Sequence, residues 1–203
     1  MCIRDSISVC HEDSIRYLQE MESVDWIFID PARRDGRGGK TVAISDCEPD
    51  VSALEDLLLE KAPHVLVKLS PMLDLALALH DLKHVQVAHI VSVNNECKEL
   101  LLVLGRETHL SSEEVPIHCI NLMTSQTTQC LLFTRQQEKE YSCPYTSTLK
   151  TYLYEPNASI LKAGAFRSVS SIYNVEKLHP NSHLYTSDEY IPDFPGRRSV
   201  SYT

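Results

Sequence analysis

Apolar residues along the chain follow two alternating rhythms. Short continuous runs, Trp26–Ile29, His64–Leu69 and Val85–Val93, read as strands, as does the shorter Ile7–Cys10. Between them, apolar positions recur every three or four residues, the spacing of a helix face. Ile15, Leu18 and Met21 follow a cap at Asp13 or Ser14, and Val51, Leu54, Leu57 and Leu58 follow one at Asp50. Pro71 suits the first turn of a helix reaching about Leu82, and Asn94 or Asn95 is expected to cap a leucine-rich helix ending near Gly105. Trp26–Ile29 shows no polar alternation, the pattern of a parallel strand covered on both faces. Strands alternating with helices predict an α/β fold with a doubly wound, mostly parallel sheet.

The pattern then changes. Pro116–Met123 and Gln129–Arg135 are two strand-like runs joined by a polar linker, an expected antiparallel hairpin closing the sheet. The charged stretch Gln136–Tyr141 marks a boundary, giving a first domain over 7–138 and a second, small α+β domain over 143–198. In the second, Tyr152–Asn157 reads as strand and turn and Ser159–Tyr173 as one helix. The remainder, rich in Pro, Asn, Ser and Tyr, reads as irregular.

Composition narrows the setting. Of 203 residues, 43% are hydrophobic and 23% charged, which suits a packed core rather than disorder. No apolar run approaches the roughly 18–20 residues that span a bilayer, and no secretory signal opens the chain. Seven cysteines stand singly, none in a C-x-x-C pair, so neither a zinc site nor a disulfide framework is expected; a cytoplasmic protein with reduced thiols is. The net charge of −9 repels nucleic acid, so any such partner must be held by local positive charge.

The stretch WIFIDPARRDGRGGKTVAISD concentrates the candidate chemistry. An apolar strand ends in Asp30 and Pro31, then Arg33 and Arg34, then a glycine-rich loop to Lys40. Gly39-Lys40-Thr41 ends like a P-loop, but Arg34 stands where that motif needs glycine, and Val42-Ala43-Ile44 reads as extended chain rather than a helix start. A solvated surface loop explains the glycines. It leaves unexplained a carboxylate at the carboxyl end of a buried strand, the edge where open α/β sheets bind ligands. A substrate loop for methyl transfer accounts for both. Such a loop needs a rigid acceptor that aims the nucleophile's lone pair, and cations that hold phosphate or stack on a base.

DPARR on this strand resembles motif IV of the class I S-adenosylmethionine-dependent methyltransferases. Together with VLVKLSPMLDL, HIVSVNNECKELLL, YLYEPNASILKAGAF, KLHPNSHLYTSD and FPGR, it is similar to a bacterial group in which a THUMP-like domain follows the catalytic one. The resemblance spans nearly all of Ile7–Arg198. It implies the C-terminal part of a Rossmann-like methyltransferase sheet, S-adenosyl-L-methionine as cofactor, and a base in tRNA or rRNA as substrate. His11, Glu12 and Asp13 would line the adenine pocket, Asp13 being equally readable as a helix N-cap. Asp30 would meet the cofactor and orient the target amine, Pro31 would shape the loop, and Arg33, Arg34, Lys40 and Lys68 would contact substrate. Ser70 and Pro71 share that edge. Ala32 and Arg33 depart from the usual proline and aromatic of the motif, which leaves the methyl acceptor open. Cys97, the candidate for a nucleophilic thiol near a strand–helix junction, reads as a structural thiol instead.

Two further expectations concern the ends and the alternatives. Met1–Ser6 and about Ser199–Thr203 match translations of opposite strands of a transposon-based sequencing adapter, which predicts an internal fragment. The glycine-rich cofactor loop and the acid after the second strand have no counterpart in the sequence, so this chain by itself is expected to be inactive. The alternative function is a non-catalytic RNA-binding adaptor of the same fold. It would use Lys150, Lys162, Arg167, Lys177, Arg197 and Arg198 with Tyr152, Tyr154, Tyr173, Tyr185 and Tyr190, although packing is the commoner use of such tyrosines. A metal hydrolase built on His11, Glu12 and Asp13 lacks a second ligand cluster. The sequence carries no sign of an oligomeric state.

Overall fold

The computed structural model describes residues 7–33, 43–124 and 127–200. A six-stranded sheet forms the first domain from β1 (Trp26–Ile29), β4 (His64–Leu69), β5 (Val85–Val93), β6 (Glu96–Gly105), β7 (Ile117–Leu122) and β8 (Gln129–Phe133), in the order β1-β4-β6-β5-β7-β8. Four strands share one direction, while β6 and β8 run against it. Two-residue strands β2 (Ala32–Arg33) and β3 (Cys47–Glu48) pair separately. Helices α1 (Ser14–Glu20), α2 (Val51–Lys61) and α3 (Leu75–Asp81) belong to this half, each capped by the aspartate before it: Asp13, Asp50 and Asp74. Alternate residues along the strands, among them Val65, Val67, Leu100, Leu102, Leu104, Ile90, Ile117 and Phe133, are buried in one core with Val51, Leu58, Ala78 and Leu79. Each buried Val, Leu, Ile or Phe side chain contributes about 1.5–3 kcal/mol by leaving water.

Several expectations change. Glu96–Gly105 is a strand, not a helix: Asn94 and Asn95 both take positive φ, 48° and 66°, which turns the chain straight back from β5 into β6. A short continuous leucine run looks alike in a buried helix and a buried strand. The third helix starts at Leu75, because Pro71 sits in a turn and Asp74 supplies the cap. Ile7–Cys10 forms no strand. Strand β1 lies at the sheet's edge with Trp26 55% and Phe28 60% exposed, so it is not covered on both faces. Ile44 begins a short 3-10 turn rather than extended chain, and Val42 lies outside the described residues.

The boundary segment is itself helical, α4 (Arg135–Glu140). Beyond it β9 (Tyr152–Pro156) is joined by β10 (Glu176–Lys177), β11 (Tyr185–Ser187) and β12 (Gly196–Val200) in an antiparallel sheet of order β10-β11-β9-β12. The tail therefore carries three strands where irregular chain is expected. The single helix predicted over 159–173 is two, α5 (Ala158–Ala163) and α6 (Phe166–Tyr173), parted at Gly164, whose φ of 72° suits glycine. The Glu138 carboxylate accepts from the Arg167 and Ser168 amides at 2.8 Å each, capping α6 from α4. Lys162 Nζ donates to the Leu73 carbonyl at 2.8 Å, a second tie between the halves.

Candidate functional site

The site starts where β1 ends. The β1–β4 register pairs Ile29 with Val67, which puts Asp30 and Lys68 side by side one step further on. Lys68 Nζ lies 2.7 Å from Asp30 Oδ2, and Glu99 Oε2, on β6, lies 3.9 Å from the same ammonium. Three neighbouring strands thus bring a carboxylate, an ammonium and a second carboxylate to one rim of the sheet. The hydrogen bond to Asp30, and then the charges of Glu99 and Asp30, hold the Lys68 ammonium above its ordinary pKa against some loss from burial. About half of the Asp30 side chain remains exposed, at 51%. Among the described residues it caps no helix.

Pro31 is buried, and the next two residues pair with β3, Ala32 opposite Glu48 and Arg33 opposite Cys47. Both ends of the glycine-rich loop are therefore fastened beside the strand end. Backbone placement is all that is described for Arg33, and Arg34 and Lys40 lie outside the described residues. Ser70 does ordinary strand-end work, its Oγ accepting from the Met72 amide at 3.3 Å.

Asp13 is the N-cap of α1, its Oδ1 accepting from the Ile15 and Arg16 amides at 3.0 and 2.9 Å. His11 and Glu12 precede it on exposed, irregular chain. Ser14 at the start of α1 and Ile29 at the end of β1 both line one apolar concavity of about 360 Å³, with Tyr17, Phe28, Pro49 and Leu54. The two acids singled out in the sequence, Asp13 and Asp30, are each one residue from that lining without being part of it. A larger hollow of about 580 Å³, lined by Gln129, Tyr173, Asp193 and Arg198 among others, shares no residue with it.

Cys97 is the second residue of β6, not at a strand–helix junction, and burial pushes its thiol pKa up. It is poorly suited to nucleophilic duty, which needs a thiolate. Among the described residues, no group of three His, Cys, Asp or Glu is arranged to hold a metal ion, and no helix is long and apolar enough to cross a membrane.

The cations and tyrosines of the second domain are mostly committed to contacts within the chain. Lys177 is buried and donates to the Pro180 carbonyl at 2.9 Å, above the Phe166 ring. Lys150 pairs with Glu176, Lys162 reaches Leu73, and Arg167 donates to the Lys139 carbonyl. Tyr154 and Tyr185 are core residues. Tyr190 is exposed, and Arg198 lies 5.3 Å from its ring centre; Arg197 beside it is exposed too. What sequence reasoning missed is Glu99: it sits in the leucine run read as helix, and it approaches Lys68 only because that run is a strand.

Residues 152–195 match a family described as a ferredoxin-like domain, in keeping with the small α+β unit. No curated protein matches the chain. Among solved structures, a Porphyromonas gingivalis W83 protein described as a "putative methyltransferase" is similar at 46% identity with a TM-score of 0.82. The likeness covers 88% of this chain and 43% of that one, so the chain spans less than half the length of the protein it resembles.

Proposed function

We propose that this chain is part of a class I S-adenosylmethionine-dependent methyltransferase acting on a base in RNA, tRNA or rRNA, with a THUMP-like C-terminal domain. One observation carries the reading: the Asp30 carboxylate projects from the end of β1, fixed by buried Pro31 behind it and Lys68 beside it. The similarity to the Porphyromonas protein supports methyl transfer as the class of reaction.

The cofactor fits the residues present as far as they go. The concavity between α1 and β1 is apolar apart from the Ser14 and Tyr17 hydroxyl-bearing side chains, which suits a flat purine ring, and the Asp13 carboxylate at its rim keeps lone pairs for an amine beyond its two backbone bonds. Asp13, with His11 and Glu12, would hold the adenine end. When bound, the cofactor supplies an electrophilic methyl group. This chain's own contribution is orientation: the Asp30 oxygens accept hydrogen bonds from the target's N–H groups and keep its lone pair aimed. Well-oriented acceptors of this kind contribute orders of magnitude in rate. Arg33, Arg34 and Lys40, which follow Asp30 in the sequence, would supply positive charge for the RNA backbone. On the second domain the exposed groups for a base or phosphate are Arg197, which lies 3.9 Å from Glu155, and Tyr190 with Arg198, whose guanidinium already donates to the Tyr190 hydroxyl and to the Ile191 and Pro192 carbonyls.

The test compares modified nucleosides by mass spectrometry in digests of RNA from source cells with and without the gene. Loss of one methylated nucleoside is expected. An unchanged set would remove RNA as the substrate.

A further inference from the structure

We propose that Lys68 is a positioning residue for Asp30, steadied from its other side by Glu99, and that it does not bind substrate phosphate. The inference rests on the methyltransferase reading for its purpose but not for its geometry. Asp30, Lys68 and Glu99 come from three adjacent strands in the order β1-β4-β6. Lys68 pairs in register with Leu101, which places Glu99 diagonally across on the same face, within reach of a long side chain. The ammonium is 2.7 Å from Asp30 and 3.9 Å from Glu99.

Two consequences follow from the charges. Within this trio one ammonium faces two carboxylates, which offset its charge and make Lys68 itself a poor phosphate contact. A solvent-accessible ion pair of this kind contributes little to stability, so folding gives no strong reason to hold this geometry. It does decide which way the Asp30 oxygens face. Lys68 has two anchors, and the nearer of them is the acceptor the reaction uses. Without Lys68, the Asp30 side chain is free to rotate and its acceptor direction is lost. Arginine could restore the bond because it also donates to a carboxylate.

The test uses NMR on this chain together with a complementation assay. Couplings across the Asp30 Cα–Cβ bond report whether the side chain holds one rotamer. One rotamer is expected in the wild type, averaging in Lys68→Ala, and a single rotamer again in Lys68→Arg. Glu99→Gln should give partial averaging. In cells, Lys68→Ala should lower the methylated nucleoside about 100-fold, as loss of orientation does, and Lys68→Arg should restore most of it. Asp30 rotamers that average in the wild type, or stay fixed in Lys68→Ala, would overturn the positioning role whatever the cells show. Fixed, Lys68-dependent rotamers in a protein that changes no nucleoside would support the geometry and count against the RNA methylation reading instead.

Discussion

The Ala158 amide donates to the Asn95 side-chain oxygen at 2.8 Å, so a turn in the first domain satisfies the first amide of α5, whose N-cap is Asn157. Asn95 meets two demands at once. It sits at a positive φ of 66°, where asparagine is tolerated better than most residues, and it offers an oxygen to an orphan helix N–H. Replacing it with glycine keeps the turn and removes the acceptor for the Ala158 amide, while Asn157 remains the N-cap of α5. Asn95→Gly should lower stability by about 1 kcal/mol in urea unfolding, and Asn95→Asp should not. Equal losses in both would mean that the side-chain oxygen is not the feature that matters.

Glu55 is a buried carboxylate on α2 that accepts from the Lys83 and His84 amides, each at 2.9 Å. It fastens the loop between α3 and β5 to the helix. Glu55→Ala leaves two part-buried amides without this partner and should cost about 1–3 kcal/mol, more than the exposed Glu60→Ala. Chemical denaturation of the two variants checks the ranking.

Gly196 opens β12 where it crosses β9. A methyl group there would lie 2.0 Å from the Glu155 carbonyl oxygen, a backbone atom that cannot swing aside. Gly196→Ala should therefore loosen the second sheet, seen as faster amide exchange across β9 and β12 while β4–β6 keep their protection.

Glu114 accepts from both the hydroxyl and the amide of Ser111, at 2.6 and 3.1 Å, and these bonds hold its carboxyl below the usual range. A depressed carboxyl stabilises the fold above its unfolded pKa of about 4.3 and loses that contribution as the pH falls through the folded value. Ser111→Ala should thus be less stable than the wild type near pH 7. The gap should narrow below about pH 4. A gap that stays constant with pH would contradict this account.

Local chemistry was legible in the sequence, and long-range pairing was not. Asp13 and Asp50 announce their helices because a cap acts within three residues. His64–Leu69 and Val85–Val93 announce themselves by strand composition. Asp30 is legible as a strand-end acid for the same reason. Glu96–Gly105 misleads, because its leucines suit a helix equally well, and the deciding signal is the Asn94–Asn95 pair read as a hairpin turn. Strands β10 and β11 are two and three residues long and are held only by pairing, β10 against β11 and β11 against β9, so no periodicity could reveal them. The Asp30–Lys68–Glu99 contact depends on sheet order, which hydrophobic pattern does not encode.

The central claim is that the Asp30 carboxylate aims the nucleophile of a methyl transfer. Its most direct test restores the gene to cells lacking it, as wild type, Asp30→Ala or Asp30→Asn, and measures the methylated nucleoside by mass spectrometry at equal protein levels. The account predicts wild-type recovery, roughly 100-fold less with alanine, and an intermediate level with asparagine, which keeps one acceptor oxygen. Full recovery with Asp30→Ala would contradict it.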